Sequence, residues 1–554
     1  MRNELVDSLR EAILQCGIEA ADIHLEHPTE LLNGDYSTNV AMVCGPKTGK
    51  KPLEFAKELA RKLNERKDER IEKIEVAGPG FINFYVSGKF LAREVQNITE
   101  AGDAYGKNET RKGEKIMVEY TDPNPFKEFH IGHLMSNAIG ESLARLFEFT
   151  GAKIVRANWQ GDVGPHVAKA IWGKMQKSEV NWGEAYAYGV SQYDGHKEEI
   201  DAINKKIYDK SDSTINTLYN LGRKESLDHF EKIYKVLGTS FDYYFFEGVE
   251  GLLGIPIVHE FLDKGVFEKS DGAVIFRGEE YGLHTRVFLT AQGLPTYEAK
   301  ELGLNKVKFD NEKDIDESVI VTANEQKEYL RVVLKAMEFI FPTIAEKTKH
   351  ITHGMMRLPT GKMSSRTGDV ITAEMLLNEA KQKIVPKVQE NEERSLQNHD
   401  TLVEEIAVGA IKYSILKQAT GRDIIFDFNT SLSFEGNSGP YLQYTHARAC
   451  SILRKAKEAH IQSGVDGAVD DIGDVERLVH RFPEIVDRAQ KEYEPHYVAT
   501  YLFELAQAFN NFYARERIIE SGDLAPYRVA LTEAVSVVIK NGLYLLGIKS
   551  PERM

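Results

Sequence analysis

Two histidines that flank a glycine stand where chemistry on phosphate groups is expected. His130 and His133 lie on either side of Gly132, shortly after the strand-like residues 116–120. A helical pattern follows and runs to Thr150. The N-terminus of such a helix attracts phosphate oxygens, and imidazoles one turn apart can donate hydrogen bonds to a reacting phosphate. The pattern therefore predicts a nucleotide site, although taken alone it fits two surface histidines about as well.

A second cluster of charged and hydroxyl side chains lies about 230 residues downstream. It contains Lys362, Ser364, Ser365 and Arg366 in a glycine-flanked, loop-like stretch. Two cations and two hydroxyls on such a loop suit a triphosphate, whereas the loop alone would fit a solvated basic turn. The order and wide separation of the two clusters resemble the two ATP motifs of class I aminoacyl-tRNA synthetases.

The class I resemblance implies a Rossmann-like catalytic domain with a parallel sheet and with ATP as a substrate. It implies that the two histidines contact the phosphates and that Lys362 and Arg366 stabilise the leaving pyrophosphate. Mg²⁺ is implied as part of the ATP complex, and no metal held by the protein itself is expected. The ATP-binding residues implied are His130, Gly132, His133, Met355, Lys362, Ser364 and Ser365.

Length, composition and net charge limit the kinds of protein that this chain can be. The 554 residues suggest roughly three to four domains, and 42% hydrophobic residues are ample for packed cores. We expect no membrane span and no signal peptide, and the three cysteines lack metal-ligand spacing or a disulfide framework. A cytoplasmic location fits these features. The net charge of −15 argues against bulk attraction to nucleic acid but permits local basic faces.

The chain divides into three predicted regions. Residues 1–110 have the pattern of a small α/β domain, and residues 111–385 alternate strands and helices, with a charged helical insertion near 175–250. Residues 386–554 are predicted to form a helical bundle. The expected fold is therefore a multidomain α/β protein with an all-α C-terminal region.

Side chains between the two ATP motifs indicate the amino-acid substrate. Tyr297 and Glu301 are four residues apart on one predicted helix face. A carboxylate beside an aromatic ring suits a guanidinium group, and Glu119 at the end of the first strand could supply a second acid. Without further context, a surface pair on a helix is the more frequent explanation of Tyr297 and Glu301.

The chain resembles arginyl-tRNA synthetases over essentially its full length. Residues 118–125, Val-Glu-Tyr-Thr-Asp-Pro-Asn-Pro, are similar to that family's approach to its first ATP motif. The resemblance implies that Glu119, Tyr297 and Glu301 receive the guanidinium, and that Asp122, Asn124 and Gln326 hold the amino-acid end. It also implies that arginine activation requires bound tRNA.

The sequence departs from the family pattern at three positions. Glu301 stands where aspartate is usual, and Tyr329 where histidine is common. Ser365 stands where class I enzymes usually carry a second lysine, so a positive charge is missing there. Lys127, three residues before His130, could supply that charge from the opposite side, although a solvated lysine is the alternative. The predicted catalytic residues are Lys127, His130, His133, Lys362 and Arg366.

The outer regions resemble tRNA-binding domains of the same family. Residues 436–448 are similar to the opening of its helical anticodon-binding domain, where tyrosines can stack on bases and an arginine can bind phosphate. The tRNA-binding candidates there are Tyr441, Gln443, Tyr444 and Arg448. Helix packing is the competing explanation for the aromatic residues. The N-terminal region resembles the domain that contacts the tRNA elbow, with Phe81 and Asn83 as candidates.

The resemblance implies an arginine–tRNA ligase activity that forms arginyl-adenylate from ATP and transfers arginine to tRNA. The expected partners are tRNA(Arg), L-arginine and ATP, without a membrane, and the chain is expected to act as a monomer. Two alternatives stay open. One is another class I synthetase, such as a glutamyl or cysteinyl enzyme, and the other is a non-catalytic tRNA-binding paralogue.

Overall fold

A computed structural model describes residues 1–19, 22–359, 371–389, 399–465 and 472–554. Among the described residues, the N-terminal region contains a three-stranded antiparallel sheet in the order β1–β3–β2 with helices packed on it. Its elements are α1 (Arg2–Leu14), β1 (Tyr36–Thr38), α2 (Val40–Cys44), α3 (Pro52–Asn64), β2 (Ile71–Ala77), β3 (Phe81–Val86) and α4 (Gly88–Ala101).

The central region alternates strands and helices, as predicted. Its elements up to residue 263 are β4 (Lys115–Glu119), α5 (Ile131–Phe149), β5 (Lys153–Gln160), α6 (Pro165–Gln176), α7 (Trp182–Gln192), α8 (Lys197–Asp209), α9 (Ser213–Leu237), β6 (Tyr243–Phe246) and α10 (Gly254–Asp263). The next elements are β7 (Glu268–Ser270), β8 (Ala273–Phe276), β9 (Arg286–Leu289), α11 (Tyr297–Asn311), β10 (Glu317–Ala323), α12 (Lys327–Ile340), α13 (Pro342–Lys347), β11 (Thr348–His353), β12 (Met356–Arg357) and α14 (Ala373–Gln389).

In the part of the chain that the structure describes, five parallel strands form the central sheet in the order β11–β10–β4–β5–β6. β4 is buried along almost its whole length, as expected for a parallel strand covered on both faces. The chain leaves β4 toward β5 on one side, whereas β10 lies on the other side. The gap between β4 and β10 is therefore a topological switch point, where ligands bind at the carboxyl ends of the strands.

Helix α5 connects the switch point to the rest of the molecule. Its residues are mostly buried, and it ends at Phe149. Gly151, two residues later, has a φ of +99°, the left-handed conformation expected of a glycine stop. Helices α6–α9 fill the crossover between the adjacent strands β5 and β6, where the charged helical insertion was predicted.

In the residues that the structure describes, the C-terminal region is helical, with one exception. Its elements are α15 (His399–Leu416), β13 (Ile424–Ile425), α16 (Phe428–Ser431), α17 (Gly439–Glu458), α18 (Asp474–Glu492), α19 (His496–Arg515) and α20 (Ala525–Leu545). The exception is β13, which pairs in parallel with β12 of the central region. Helix α14 runs through the boundary predicted between residues 385 and 386.

One hydrophobic core joins the central and C-terminal regions. It includes Val118 of β4, Leu143 of α5, Ile411 of α15 and Val535 of α20. Polar contacts reinforce this junction, because the Ser142 hydroxyl donates to the Leu545 carbonyl at 2.8 Å. The helix that begins at the predicted nucleotide site is thus packed directly against the C-terminal bundle.

Candidate active site

The predicted histidine pair lies at the N-terminus of α5. The backbone N–H of Gly132 donates to Nδ1 of His130 at 3.1 Å, and the backbone N–H of His130 donates to Nδ1 of His133 at 3.2 Å. The two rings stack with centroids 3.6 Å apart. Because each Nδ1 accepts a hydrogen bond, a neutral ring carries its proton on Nε2.

Both imidazoles are neutral at physiological pH. Burial, with a smaller effect of Lys127, lowers the pKa of His130 to about 4. Burial also lowers the pKa of His133 well below its ordinary value. The pair therefore presents two Nε2–H donors without net charge, which suits phosphate oxygens whose charge increases during a reaction.

Gly132 has a packing role that the sequence did not indicate. A Cβ atom at this position would lie 2.9 Å from Cε1 and 3.0 Å from Nδ1 of the His130 ring. Glycine therefore allows the ring to fold back over the helix start. This requirement is compatible with the predicted contact between Gly132 and ATP.

The loop between β4 and α5 is held in a strained conformation. Thr121, Asp122 and Phe126 have φ angles of +82°, +47° and +69°, which side chains with a Cβ rarely adopt. Backbone N–H groups fix the loop, since Trp159 donates to Oδ1 of Asp122 at 2.8 Å and Gly161 donates to Oδ1 of Asn124 at 3.0 Å. Asp122 and Asn124 thus lie together at the edge of the central sheet.

A pocket of buried acids adjoins this loop. Glu119 is 2% exposed and forms an ion pair with Lys308, and Glu301 is 4% exposed and accepts from the Tyr329 hydroxyl at 3.4 Å. Oε2 of Glu301 is buried without a hydrogen-bond partner among the described residues. Burial, with added repulsion from Glu119, raises the pKa of Glu301 to about 8. Burial and Glu119 likewise raise the pKa of Asp122 well above its ordinary value.

The other predicted residues differ in their exposure to solvent. Tyr297 begins α11 and is 59% exposed, one turn before Glu301. Gln326 is exposed in the turn between β10 and α12. Lys127 is half-buried with its Nζ 5.2 Å from the Tyr186 ring centroid, and burial lowers the pKa of Lys127. Met355 is 36% exposed between β11 and β12.

The second ATP motif lies outside the described residues, and this applies to Lys362, Ser364, Ser365 and Arg366. The described chain just after it contacts the first motif directly. The backbone N–H of Ile131 donates to the Ile371 carbonyl at 3.1 Å, and the N–H of Ala373 donates to the Phe129 carbonyl at 2.8 Å. The segment after the second motif is therefore anchored to the turn that carries His130.

Of the four tRNA-binding residues predicted in the helical region, three are half-buried and one is fully buried. The Arg448 guanidinium lies 4.9 Å from the Tyr444 ring centroid and 5.3 Å from that of Tyr513, which is 43% exposed. Tyr441 is half-buried and accepts from Asn510 at 2.9 Å. Gln443 is fully buried and donates to the Lys549 carbonyl at 2.9 Å, a contact that holds the bundle together.

The two N-terminal candidates also differ in exposure. Both belong to β3, where Phe81 is half-buried at the first residue. Asn83 is 3% exposed, and its Oδ1 accepts from the Ser37 hydroxyl at 2.7 Å. A base could therefore contact Phe81 directly, whereas the Asn83 amide oxygen already has a partner.

Three residues of the pocket, Glu247, Lys300 and Lys308, were not predicted from the sequence. Glu247 follows β6 at the same sheet edge and contacts Lys300 at 2.5 Å, with both side chains buried. Lys308 lies on the buried face of α11, seven residues after Glu301. Two signals were available in the sequence. Glu247 is a polar residue directly after a buried strand, and Lys308 lies two turns after an acid on one helix face.

In the described residues, no group of three or more histidine, cysteine or acidic side chains has the geometry of a metal site. The helices that the structure describes also include none that is both long and apolar enough to cross a bilayer.

Comparison with known proteins covers all three regions. Family models match residues 3–86 as "Arginyl tRNA synthetase N terminal domain", 94–428 as "tRNA synthetases class I (R), catalytic domain" and 442–554 as "DALR anticodon binding domain". These matches confirm the predicted class I catalytic domain and its two flanking domains. Their limits differ from the predicted domain boundaries, which stay predictions.

Relatives of known function match along nearly the whole chain. The arginine–tRNA ligase of Clostridium acetobutylicum is 31% identical, with 91% of each chain covered. The arginine–tRNA ligase of Pediococcus pentosaceus is 32% identical, with 96% of this chain and 95% of the relative covered. Among solved structures, the Thermus thermophilus arginyl-tRNA synthetase has the same fold, with a TM-score of 0.82 at 23% identity over both full chains.

The buried acids at the switch point agree with these matches, and the catalytic-domain model alone spans more than half of the chain. The chain therefore belongs to the arginyl-tRNA synthetase family of class I.

Proposed function

We propose that this chain is an arginine–tRNA ligase. It activates L-arginine with ATP and transfers the arginyl group to the terminal adenosine of tRNA(Arg). The observation that carries the proposal is the buried Glu301 carboxyl, whose Oε2 has no hydrogen-bond partner among the described residues and is available to a guanidinium. A buried acid at this position favours a cationic substrate, whereas an acidic substrate would favour a cation in its place.

Activation requires no nucleophilic side chain. A carboxylate oxygen of arginine attacks the α-phosphorus of ATP. The bond between the α-phosphorus and the oxygen that bridges it to the β-phosphate breaks, and pyrophosphate leaves with the bonding electrons. The protein positions the reactants and stabilises the growing negative charge. His130 and His133 supply this stabilisation through the hydrogen bonds that their Nε2–H groups donate. Both rings are neutral, and neither transfers a proton in this step.

Lys127 supplies a positive charge on the approach to the same phosphates. Its position three residues before His130, the residue that caps the helix, supports this role. The lysine replaces the charge that is absent at Ser365. Lys362 and Arg366 then bind the leaving pyrophosphate, Ser364 and Ser365 contact the phosphates, and Met355 lies beside the nucleotide.

The two ends of the arginine substrate bind to different elements of the structure. Glu119 of β4, together with Tyr297 and Glu301 of α11, receives the guanidinium. Asp122, Asn124 and Gln326 at the sheet edge hold the amino-acid end. The Trp159 and Gly161 contacts support this division, because they fix Asp122 and Asn124 relative to β5.

The outer domains bind tRNA(Arg). An arginine between two tyrosine rings, as at Arg448, can pair with a phosphate while the exposed ring stacks on a base. Phe81 contacts a base at the tRNA elbow. Mg²⁺ enters with ATP, whose triphosphate binds it, and the enzyme works as a cytoplasmic monomer.

A pyrophosphate-exchange assay with each of the twenty amino acids tests the proposal. We expect exchange with arginine alone, and only when tRNA(Arg) is present, because docking of the tRNA shifts the active site toward its competent state. Exchange with a different amino acid would identify another class I synthetase. No exchange under any condition would identify a non-catalytic paralogue, and strong exchange without tRNA would contradict the coupling.

A further inference from the structure

Helix α18 of the C-terminal bundle contacts the N-terminal domain through three polar side chains. Arg477, His480 and Glu484 are three and four residues apart, a spacing that places them on one face of the helix. Each forms a charged or polar pair with a side chain of the N-terminal domain, and the paired side chains are 5% to 23% exposed. We call this contact the α18 interface.

Glu484 lies at the centre of the α18 interface. Its Oε1 accepts from the Tyr36 hydroxyl at 2.5 Å, and its Oε2 lies 3.0 Å from Nε2 of His27. The other ring nitrogen of His27 lies 2.7 Å from the Asp35 carbonyl oxygen. Tyr36 is 1% exposed, so loss of Glu484 would leave its buried hydroxyl with a 3.5 Å contact to His480 in place of a short hydrogen bond. A poorly paired buried polar group is costly.

The interface continues into the sheet that carries a predicted tRNA contact. Asp35, which pairs with Arg477, also accepts from the backbone N–H of Val86 at the end of β3, at 2.8 Å. Tyr36 begins β1, which pairs antiparallel with β3. Phe81, the candidate for contacting a base at the tRNA elbow, is the first residue of the same β3. Contacts with α18 therefore fix the sheet that carries Phe81.

On its other side, α18 packs on a helix that belongs to the second predicted tRNA-binding surface. The rings of Phe482 and Tyr501 stack with centroids 5.9 Å apart, which joins α18 to α19. Near its end, α19 carries Tyr513, whose ring centroid lies 5.3 Å from the Arg448 guanidinium. Helix α18 thus connects the two regions that are proposed to bind tRNA.

We propose that Glu484 is a positioning residue for tRNA binding. Through Tyr36 and His27 it holds the N-terminal domain at a fixed place on the bundle, so that the elbow contact and the contact at Arg448 meet one tRNA together. Two linked sites bind more tightly than either site alone when their arrangement matches the ligand, and a rigid arrangement loses less entropy on binding. The inference rests on the proposed function, because it requires both regions to contact tRNA(Arg).

The test compares two variants of Glu484. Glu484→Ala removes both hydrogen bonds, whereas Glu484→Gln can accept from Tyr36 with its amide oxygen and donate to a neutral His27 ring with its amide nitrogen. We expect Glu484→Ala to raise the KM for tRNA(Arg) in aminoacylation about tenfold, with kcat within about threefold of wild type. Glu484→Gln should stay within about threefold of wild type in both constants, because the interface keeps its hydrogen bonds.

A second tRNA distinguishes positioning from a general loss of stability. It is a tRNA(Arg) transcript in which the unpaired bases of the elbow loops are replaced, so that the elbow contact is already weakened. On this transcript the KM values of wild type and Glu484→Ala should differ by less than about threefold, because the contact that Glu484 positions no longer contributes. The matched control is Glu492→Ala, an exposed acid two turns later on α18, which should leave the KM for both tRNAs unchanged.

Tyr36→Phe keeps the ring and removes the hydroxyl, so it supplies the same comparison if Glu484→Ala does not fold. An equal rise in KM on both tRNAs, or no rise on either, would overturn the proposal. A wild-type enzyme with the same KM for both transcripts would overturn it too, since the N-terminal domain would then make no elbow contact. The proposed function fails separately, if the wild-type enzyme does not activate arginine in pyrophosphate exchange.

Discussion

Replacement of Glu301 by glutamine should weaken arginine binding by an amount that depends on pH. The substitution keeps the size of the side chain and removes its charge. Truncating one partner of a buried charged hydrogen bond costs about 2–5 kcal/mol. However, burial and the neighbouring Glu119 hold the pKa of Glu301 at about 8, so the group is largely protonated in the empty enzyme at pH 7.

The pH effect has a definite sign. Since the pKa is raised, the charged fraction of Glu301 grows as pH rises toward 8 and is only about a tenth at pH 7. Arginine must then displace a proton, which reduces its affinity by about 1.4 kcal/mol at pH 7 relative to pH well above 8. The wild-type KM for arginine should therefore fall about tenfold from pH 7 to pH 9, whereas that of Glu301→Gln should not follow this curve.

The assay is tRNA-dependent pyrophosphate exchange between pH 6.5 and 9, with KM and kcat measured for arginine and for ATP. The loss in the variant should fall on arginine and leave the KM for ATP nearly unchanged. Glu338→Gln, an exposed acid on α12, serves as the control. An unchanged KM and kcat for arginine, or the same pH slope in variant and wild type, would refute the assignment of Glu301.

Three further predictions concern catalysis, tRNA binding and packing. Lys127→Ala should lower kcat for activation about 100- to 1000-fold with smaller effects on both KM values, and a rate within threefold of wild type would end that assignment. Arg448→Ala combined with Tyr444→Ala should raise the KM for tRNA in aminoacylation, and an unchanged KM would mean that both residues only pack. Gly140→Ala should lower Tm, because its Cβ would lie 2.3 Å from the side chain of the buried tyrosine after β4. This overpacking, typically about 1–3 kcal/mol, exceeds the gain of about 1 kcal/mol in helix propensity. Gly195→Ala, which meets nothing within 4 Å, should leave Tm nearly unchanged.

Much of the site could be predicted because its signals are local. A strand, a chain break with two prolines and a helix start follow one another in the sequence, and this order places His130 and His133 at a sheet edge. The helix spacing of Tyr297 and Glu301 depends only on α11 itself. The alternation of strands and helices, which predicts a parallel sheet, is likewise readable along the chain.

The sequence by itself thus determined the family, the three-region organisation and the placement of the nucleotide motif. Only the tertiary structure decided how the charges pair. Glu119 lies on β4 and Lys308 on α11, and no local spacing indicates that they meet. The raised pKa of Glu301 also depends on burial and on Glu119, a neighbour 182 positions earlier in the chain. Coulomb interactions and desolvation act through space, so side chains from distant elements set the charge of a pocket whose residue types were already visible in the sequence.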